Sequence, residues 1–136
     1  MAKRLKVLNL TRCRGLTKTP DFSTFTALEI LNLGNCENLV EFHPSVWKLK
    51  NLRVLDISED ISTHARAVRA ITMFPDEIGN LEKLEEIYAS WRKDLHGEIP
   101  SSIGRLSSLR IFKLDFTNIY SLPTSICGLL ASRPLI

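Results

Sequence analysis

The sequence predicts an α/β solenoid of about five repeating units, with short parallel strands on a concave face and 3₁₀ or helical turns on the convex side. Two stretches share one pattern: LKVLNLTRCRGLTKTP at residues 5–20 and LEILNLGNCENLVEFHP at residues 28–44 place leucines and a cysteine at matching positions, followed by a proline. Similar openings recur further along the chain. Self-similarity at a period of about 20–50 residues is the signature of repeat architectures. We therefore expect residues 1–136 to form one repeat domain.

Each unit is expected to open with a short strand. In the pattern L-x-x-L-x-L, alternate residues point to opposite sides of a strand, so Leu8 and Leu10 face the core while Asn9 faces away. One strand cannot bury its leucines alone, but units stacked about 4.8 Å apart build a parallel sheet over a continuous core. With spacings of 23, 24, 32 and 25 residues, the units begin near Leu5, Leu28, Leu52, Leu84 and Leu109.

The second half of each unit, at residues 20–28, 43–52, 74–84, 99–109 and 122–130, leads back to the next strand. A proline followed about three positions later by an apolar residue predicts a turn that runs into a short 3₁₀ or helical segment. The third unit is about eight residues longer than the others. We expect the insertion, near residues 59–69, to be a surface loop with room for one helical turn through HARAVRAI. Neither end of the chain shows a complete polar cap, which predicts a fragment with apolar end units.

Composition and charge exclude several classes of function. Apolar residues make up 44% of the chain, and 18 basic against 15 acidic residues give a net charge of +3, too small to indicate a nucleic-acid partner. There is no apolar run of 18 residues, so we expect no membrane partner. Three cysteines without a visible secretory signal favour reduced thiols and a cytoplasmic location.

Catalytic and metal-binding motifs are not recognisable. The sequence lacks a phosphate-binding G-x-x-x-x-G-K-[ST] loop, a dinucleotide-binding G-x-G-x-x-G, an H-E-x-x-H and a C-x-x-C. His43, His64 and His96 are too far apart to form a ligand pair on one helix. His96 and Glu98 flank a glycine, which we interpret as a loop that enters the turn at Pro100. We therefore predict no enzyme, no cofactor and no metal site.

The cysteines of the first two units fall on one repeat position, and Thr117 occupies the same position in the fifth unit. A small polar side chain there is expected to point inward and to hydrogen-bond backbone groups where the strand turns into its loop. Cys13, Cys36 and Thr117 are thus predicted to be structural. A Cys13–Cys36 disulfide is conceivable, but a buried thiol in a reducing compartment is usually inert.

Side chains between the leucines are free to bind a protein partner. Exposed aromatic and arginine side chains are typical interface anchors, so we consider Tyr88 and Trp91 the first anchor pair. Trp91 packed over the loop of a neighbouring unit is an equal alternative, and Trp47 is predicted to lie in the convex-side core. The candidate partner-binding residues on the concave face are Lys6, Asn9, Arg12, Glu29, Asn32, Asn35, Arg53, Asp56, Glu85, Tyr88, Trp91, Arg110, Lys113 and Phe116.

The amino-acid sequence of the units resembles the leucine-rich repeats of plant intracellular disease-resistance proteins. These proteins carry an amino-terminal TIR domain and a nucleotide-binding domain. The similarity is carried by the cysteine-position units with C-x-x-L, by TPDFS and by ENLVEFHPSV, within residues 5–57. LHGEIPSSIGRLSSL resembles plant repeats more broadly, including those of extracellular receptors.

This resemblance implies a sensor that recognises a pathogen effector or a host protein, or that restrains the receptor's own nucleotide-binding domain. The chain shows no TIR segment and no phosphate-binding loop, so nucleotide chemistry is not implied for any residue here. Three alternatives stay open: an extracellular receptor-like repeat protein, a regulatory appendage of an enzyme, and a degenerate fragment without function. The oligomeric state is not predicted.

Overall fold

A computed structural model of the protein describes residues 2–60 and 71–132. Within these ranges the strands are β1 (Val7–Asn9), β2 (Ile30–Asn32), β3 (Val54–Asp56), β4 (Glu86–Tyr88), β5 (His96–Glu98), β6 (Ile111–Lys113) and β7 (Asn118–Ser121). The 3₁₀ helices are Ala2–Arg4, Pro44–Lys48, Asp76–Asn80 and Ser101–Arg105, and one α-helix, α1, spans Ile126–Ser132.

Five of these strands form one parallel sheet in the order β1-β2-β3-β4-β6. The pairing follows the repeat without slipping, because each strand's central apolar residue is the partner of the next one: Leu8, Leu31, Leu55, Ile87 and Phe112. Parallel order and equal register are what stacked repeats with right-handed returns produce. The predicted leucine-rich solenoid is therefore confirmed.

The core lies on the inner side of this sheet. Leu31, Leu55 and Ile87 are fully buried, and the opening leucines of the second to fifth units join them in one continuous cluster: Leu28, Leu52, Leu84 and Leu109. Leu5 of the first unit is 37% exposed. The end strands are less covered, since Leu8 of β1 and Phe112 of β6 are half-buried.

The returns to the next strand use 3₁₀ helices in the second, third and fourth units. Trp47 lies in the helix Pro44–Lys48 and is 7% exposed, on the core side as expected. Prolines at the helix starts fit this geometry, because proline's fixed φ suits a first helical turn.

The first unit differs from this expectation, because residues 20–28 form turns and no 3₁₀ helix. The carboxylate Oδ1 of Asp21 accepts a hydrogen bond from the Ser23 backbone N–H at 2.9 Å. Such a local side-chain bond offers the backbone an alternative to a helix. The rings of Phe22 and Phe25 contact each other edge to face in this segment, with centroids 5.6 Å apart.

The interpretation of His96–Glu98 as a loop was wrong. These residues form β5, which pairs in parallel with β7, with Gly97 opposite Ile119. Gly97 has φ of 87°, a left-handed conformation that only glycine adopts without strain. A single bridge between Lys18 and Glu41 joins the first two units at the corresponding place. The first, second, fourth and fifth units thus have a second extended segment after their first strand.

The predicted insertion lies mostly outside the described residues, because 61–70 fall between the two described ranges. The helical turn predicted through HARAVRAI, residues 64–71, lies there too, apart from Ile71. Among the described helices, none combines the length and apolar character needed to cross a bilayer.

Candidate partner-binding face

Five charged side chains of alternating sign cross the outer side of the five-stranded sheet, which we call the sheet face. Each follows the first leucine of its unit, so stacking brings them side by side. The ion-pair distances are 3.6 Å for Lys6–Glu29, 3.5 Å for Glu29–Arg53 and 3.8 Å for Glu85–Arg110, and Arg53 also pairs with Glu85. We call this row the charge ladder: Lys6, Glu29, Arg53, Glu85 and Arg110.

Neighbouring charges of the charge ladder pair with one another, and its three cations and two anions leave a net charge of +1. The pKa of Arg53 is raised above its ordinary value, first because its guanidinium donates a hydrogen bond to Glu85. Each ladder cation is about half exposed or more, and solvent screens ion pairs at such exposure so that they contribute little. The ladder therefore sets the charge pattern that a partner meets and adds little to stability.

Apolar residues occupy the first position of four of the five strands. Val7 is 52% exposed, and Ile30, Val54 and Ile111 are half-buried. In β4 the same position is Glu86. The sheet face thus combines an apolar stripe with a polar interruption at β4.

The polar interruption of the apolar stripe at β4 is a small group of hydrogen-bonded side chains. The Tyr88 hydroxyl donates to Oε1 of Glu86, and Arg110 donates to Oε2 of the same carboxylate at 2.8 Å. The bond to Glu86 is the main cause that raises the pKa of Tyr88 to about 12. Tyr88 is therefore held in one orientation on the sheet face, neutral at physiological pH.

Three other polar side chains of the sheet face stabilise the turns in which the strands end. Oδ1 of Asn9, Asn32 and Asp56 accepts a backbone N–H two residues later, at 3.0, 2.9 and 2.9 Å respectively. Such turns shape the strand exit. Lys113 takes this position in the fifth unit and is exposed.

The loop position three residues after the strand has a left-handed backbone in four of the five units. Arg12, Asn35, Trp91 and Phe116 have φ of 59°, 57°, 66° and 59°. This conformation is uncommon for residues other than glycine, asparagine and aspartate, and four occurrences at one repeat position show that the unit imposes it. Arg12 also approaches Asp60 at 3.9 Å.

The main aromatic feature is a stack of Trp91 on Phe116. Their rings are 3.9 Å apart at an interplanar angle of 13°. Phe116 is 62% exposed and Trp91 is half-buried. Trp91 thus packs on the loop of the neighbouring unit, and its aromatic partner is Phe116, whereas Tyr88 bonds Glu86. We call Trp91 and Phe116 the aromatic pair.

The repeat position of the cysteines points inward. The Cys36 thiol donates to the Leu10 carbonyl at 3.0 Å, which links the second unit to the first. Burial raises the pKa of the Cys36 thiol. Thr117 donates to the Leu114 carbonyl at 2.8 Å. Cys13 is half-buried, and all three cysteines, Cys127 included, are free thiols.

Sequence reasoning missed Arg92, which occupies this same position in the fourth unit. It is 2% exposed and donates to Glu59 at 3.0 Å and to Asp94 at 3.1 Å. Burial raises the pKa of Glu59, against the opposing effect of the Arg92 charge. The signal was available, because Arg92 follows Leu84 by the same eight residues that separate Leu5 from Cys13.

No group of three or more histidine, cysteine, aspartate or glutamate side chains within residues 2–60 and 71–132 is arranged to hold a metal ion. The site in this part of the chain is therefore a surface of charges, apolar side chains and aromatic rings. Such a composition suits contact with another protein.

Comparison with curated proteins finds plant disease-resistance proteins. TMV resistance protein N of Nicotiana glutinosa is 29% identical over 147 residues, which cover 92% of this chain and 12% of that protein. Disease resistance protein RPV1 of Vitis rotundifolia is 42% identical over 48 residues, 35% of this chain and 3% of that protein. This chain thus spans a small part of these relatives, and the predicted resemblance to plant disease-resistance proteins is confirmed.

Solved structures and a family model agree on the fold. The plant peptide hormone receptor RGFR1, solved in complex with RGF2, superposes with a TM-score of 0.58 and 23% identity over 96% of this chain and 24% of that chain. The family model described as Zer-1-like leucine-rich repeats matches residues 2–92. With that match and with five strands stacked on their leucines, the chain belongs to the leucine-rich repeat family, a protein-interaction fold.

Proposed function

We propose that the sheet face recognises a protein ligand in plant immune defence. The ligand proposed is a pathogen effector or a host protein that an effector modifies, and the same repeats also restrain a receptor's nucleotide-binding domain. The observation that carries this proposal is the likeness to TMV resistance protein N over 92% of the chain. A role without catalysis follows, since the sheet face offers binding groups and no recognisable catalytic arrangement.

The composition of the sheet face supports this proposal. The charge ladder alternates in sign across the sheet face, so a partner gains specificity from matching the ladder and affinity from apolar contact. Phe116, Trp91 and Tyr88 provide that contact at low entropic cost, because stacking and the bond to Glu86 already hold Trp91 and Tyr88. We propose Arg12, Asn35 and Lys113 as the polar rim around this centre.

We propose a cytoplasmic location. Three free cysteines, one of them buried as a hydrogen-bond donor inside the repeat core, fit a reducing compartment. A relative that acts in pathogen resistance is consistent with this location.

Selection against a library of secreted pathogen proteins tests the proposal. The purified chain is the bait, and the binders are then measured against variants by biolayer interferometry. Trp91→Asn and Phe116→Asn introduce the residue that the second unit has at the same left-handed position, so the backbone is kept. We expect each change to weaken binding about tenfold or more, as for interface anchors.

Tyr120→Ala is the matched control, since Tyr120 is an aromatic residue that is 76% exposed in β7, away from the sheet face. Its removal should leave the affinity within about twofold. Binders that depend on Tyr120 and tolerate loss of the aromatic pair would contradict the proposed face. Absence of any binder from the effector library would contradict effector sensing itself.

A further inference from the structure

We propose that Cys13 and Cys36 form a site of reversible oxidation, at which hydrogen peroxide converts the two thiols into a disulfide between the first two units. Both cysteines are free thiols in this structure. The inference concerns the contact between these two units, so it stands apart from whatever the sheet face binds.

The backbone holds the two cysteines one repeat apart in space, because they occupy the same position in consecutive units. Before this position, the Arg12 N–H donates to the Gly34 carbonyl at 2.9 Å. After it, the Val40 N–H donates to the Thr17 carbonyl at 2.8 Å. Chain segments that are hydrogen-bonded side by side lie about 4.8 Å apart. A disulfide joins residues whose Cα atoms are about 4.4–6.8 Å apart, so the spacing of the two units suits one.

The Cys36 side chain reaches from the second unit to the first. Its thiol donates to the Leu10 carbonyl at 3.0 Å, and the same carbonyl accepts the Cys13 backbone N–H at 3.1 Å. The shared acceptor places the Cys36 sulfur beside Cys13. Burial, the largest cause, raises the pKa of the Cys36 thiol, the Cys13 backbone N–H lowers it, and the charge of a Cys13 thiolate raises it again. Both contributions of Cys13 fit two side chains that lie close together.

The parallel arrangement of the two side chains makes their disulfide easy to reduce. Side chains at one repeat position point in the same direction, so their Cβ atoms are about as far apart as their Cα atoms. An unstrained disulfide has Cβ atoms about 3.8 Å apart, so this one forms under strain. Strained disulfides are the labile or regulatory ones. The pair therefore stays reduced in a reducing compartment and closes when an oxidant is present.

The reaction balances with hydrogen peroxide as the oxidant. Because burial raises the pKa of the Cys36 thiol, we assign the first attack to Cys13. Its thiolate sulfur bonds to one peroxide oxygen, the O–O bond breaks, and the leaving hydroxide takes the proton that Cys13 released, which gives a sulfenic acid and water. The Cys36 sulfur then attacks the Cys13 sulfur, the S–O bond breaks, and the leaving hydroxide takes the Cys36 proton. Two thiols and one peroxide thus give one disulfide and two waters, and the two electrons that the sulfurs lose reduce the peroxide.

The disulfide joins two loops of the proposed binding face. Arg12 and Asn35, which directly precede the two cysteines, have left-handed backbones in these loops. A cross-link stabilises a protein mainly by restricting its unfolded chain. The oxidised chain should therefore be more stable than the reduced one, with the two loops covalently connected.

Peroxide treatment of the full chain beside a matched control tests the proposal. Both proteins carry Cys127→Ser, which removes the exposed thiol that forms competing links; the protein with this change alone is the parent. The control also carries Cys13→Ser and Gly15→Cys, which move the first thiol to a place where nothing lies within 4 Å of a Cβ. Loop closure costs nearly the same in both unfolded chains, so a difference between the folded proteins reports the native geometry.

Digestion with Glu-C protease without reduction, followed by mass spectrometry, detects the link. Cleavage after Glu29 and Glu37 should release residues 1–29 and 30–37 as one linked species, which dithiothreitol separates. We expect the folded parent to form this species at least about tenfold faster than the folded control, because only the parent holds its thiols at bonding distance. In concentrated urea the two rates should agree within about twofold.

Two results would overturn the proposal: no linked species in the folded parent, or equal rates of linkage in the folded parent and the folded control. Urea unfolding of the linked parent is a second test that does not depend on the control. The linked parent should unfold at a higher urea concentration than the same protein after reduction. An equal or lower midpoint would contradict a link made within the native stack. Far-UV circular dichroism confirms that both reduced proteins are folded before peroxide is added.

Discussion

Arg92 places a cation at a position where the first, second and fifth units have a thiol or a hydroxyl. Its side chain is 3% exposed, and its partners Glu59 and Asp94 are 15% and 14% exposed. Burial of a charge is costly unless the charge is paired and hydrogen-bonded. Because Glu59 follows β3 and Asp94 follows β4, Arg92 joins the loops of two consecutive units.

Replacement of Arg92 by methionine should lower the free energy of unfolding by about 3 kcal/mol at pH 7.5, since it leaves two poorly solvated carboxylates without their cation. The loss of unfolding free energy caused by Arg92→Met should be smaller at pH 4.5. The folded-state pKa of Glu59 is raised by burial, so protonation of Glu59 as the pH falls removes the penalty on its ionised form. Urea unfolding at both pH values measures the effect.

The exposed Arg105, in the helix Ser101–Arg105, provides the control. Arg105→Met should change stability by less than about 0.5 kcal/mol at either pH. An Arg92→Met cost that is the same at pH 4.5 and pH 7.5 would contradict the role assigned to Glu59.

The three thiols should differ in reactivity. Cys36 is 3% exposed and its pKa is raised by burial, so little thiolate forms at pH 8. Cys127 is exposed in α1. We expect iodoacetamide to alkylate Cys127 at least about tenfold faster than Cys36 in the folded chain, as measured by mass spectrometry of tryptic peptides. In urea the two rates should converge, and equal rates in the folded chain would contradict the inward position of Cys36.

At the scale of elements, two glycines permit the 3₁₀ helices to stack closely. A Cβ at Gly79 would lie 2.7 Å from the Ser102 Cβ, and one at Gly104 would lie 2.7 Å from the Ser125 Cβ. Real Cβ contacts are longer than this, so a larger residue forces the helices apart. The glycine of the motif I-G-x-L in the third and fourth units is therefore explained by the close packing of these turns.

Gly104→Ala should destabilise the chain by about 1–3 kcal/mol through this overpacking. Gly15→Ala is the matched control, since nothing lies within 4 Å of a Cβ built there. It should be neutral or slightly stabilising, because alanine has less conformational freedom to lose on folding. Thermal unfolding of both variants measures the difference, and equal melting temperatures would refute the close approach.

The elements predicted best were those with strong periodicity. All five strands of the main sheet follow the pattern L-x-x-L-x-L or a variant with isoleucine, phenylalanine or alanine at a leucine position, because burial of alternate apolar residues leaves one register. β5 was missed because His96-Gly97-Glu98 has no apolar alternation, and its pairing with β7 depends on stacking with the next unit. Likewise, the Asp21–Ser23 turn replaced a helix that the proline pattern predicted.

The sequence predicted where the candidate residues lie on the sheet better than it predicted their side-chain contacts. The repeat register places every candidate residue on or beside the sheet face, because outward positions alternate with the leucines. The pairings depend on side-chain geometry between units, which the pattern does not contain. Trp91 therefore stacks on Phe116, and Tyr88 bonds Glu86, although Tyr88 and Trp91 were expected to act as a pair.

At the scale of the whole molecule, the leucines, the charge ladder and the aromatic pair all follow from one repeating unit. The stack buries a continuous core on one side of the sheet and displays a continuous surface on the other. Stability in such proteins is shared between neighbouring units. The proposed binding face is accordingly assembled from all five strands, and no single unit contains it.

Hydroxyl-radical footprinting of the chain, free and bound to an effector binder obtained by selection, tests the proposed binding face most directly. We predict that binding protects Trp91 and Phe116 by about threefold or more, as expected for anchors at a desolvated interface centre. Met73, which is 51% exposed and lies beside Gly97 of β5, should keep its oxidation rate. Protection of Met73 with unchanged oxidation of the aromatic pair would place the partner elsewhere and contradict the account.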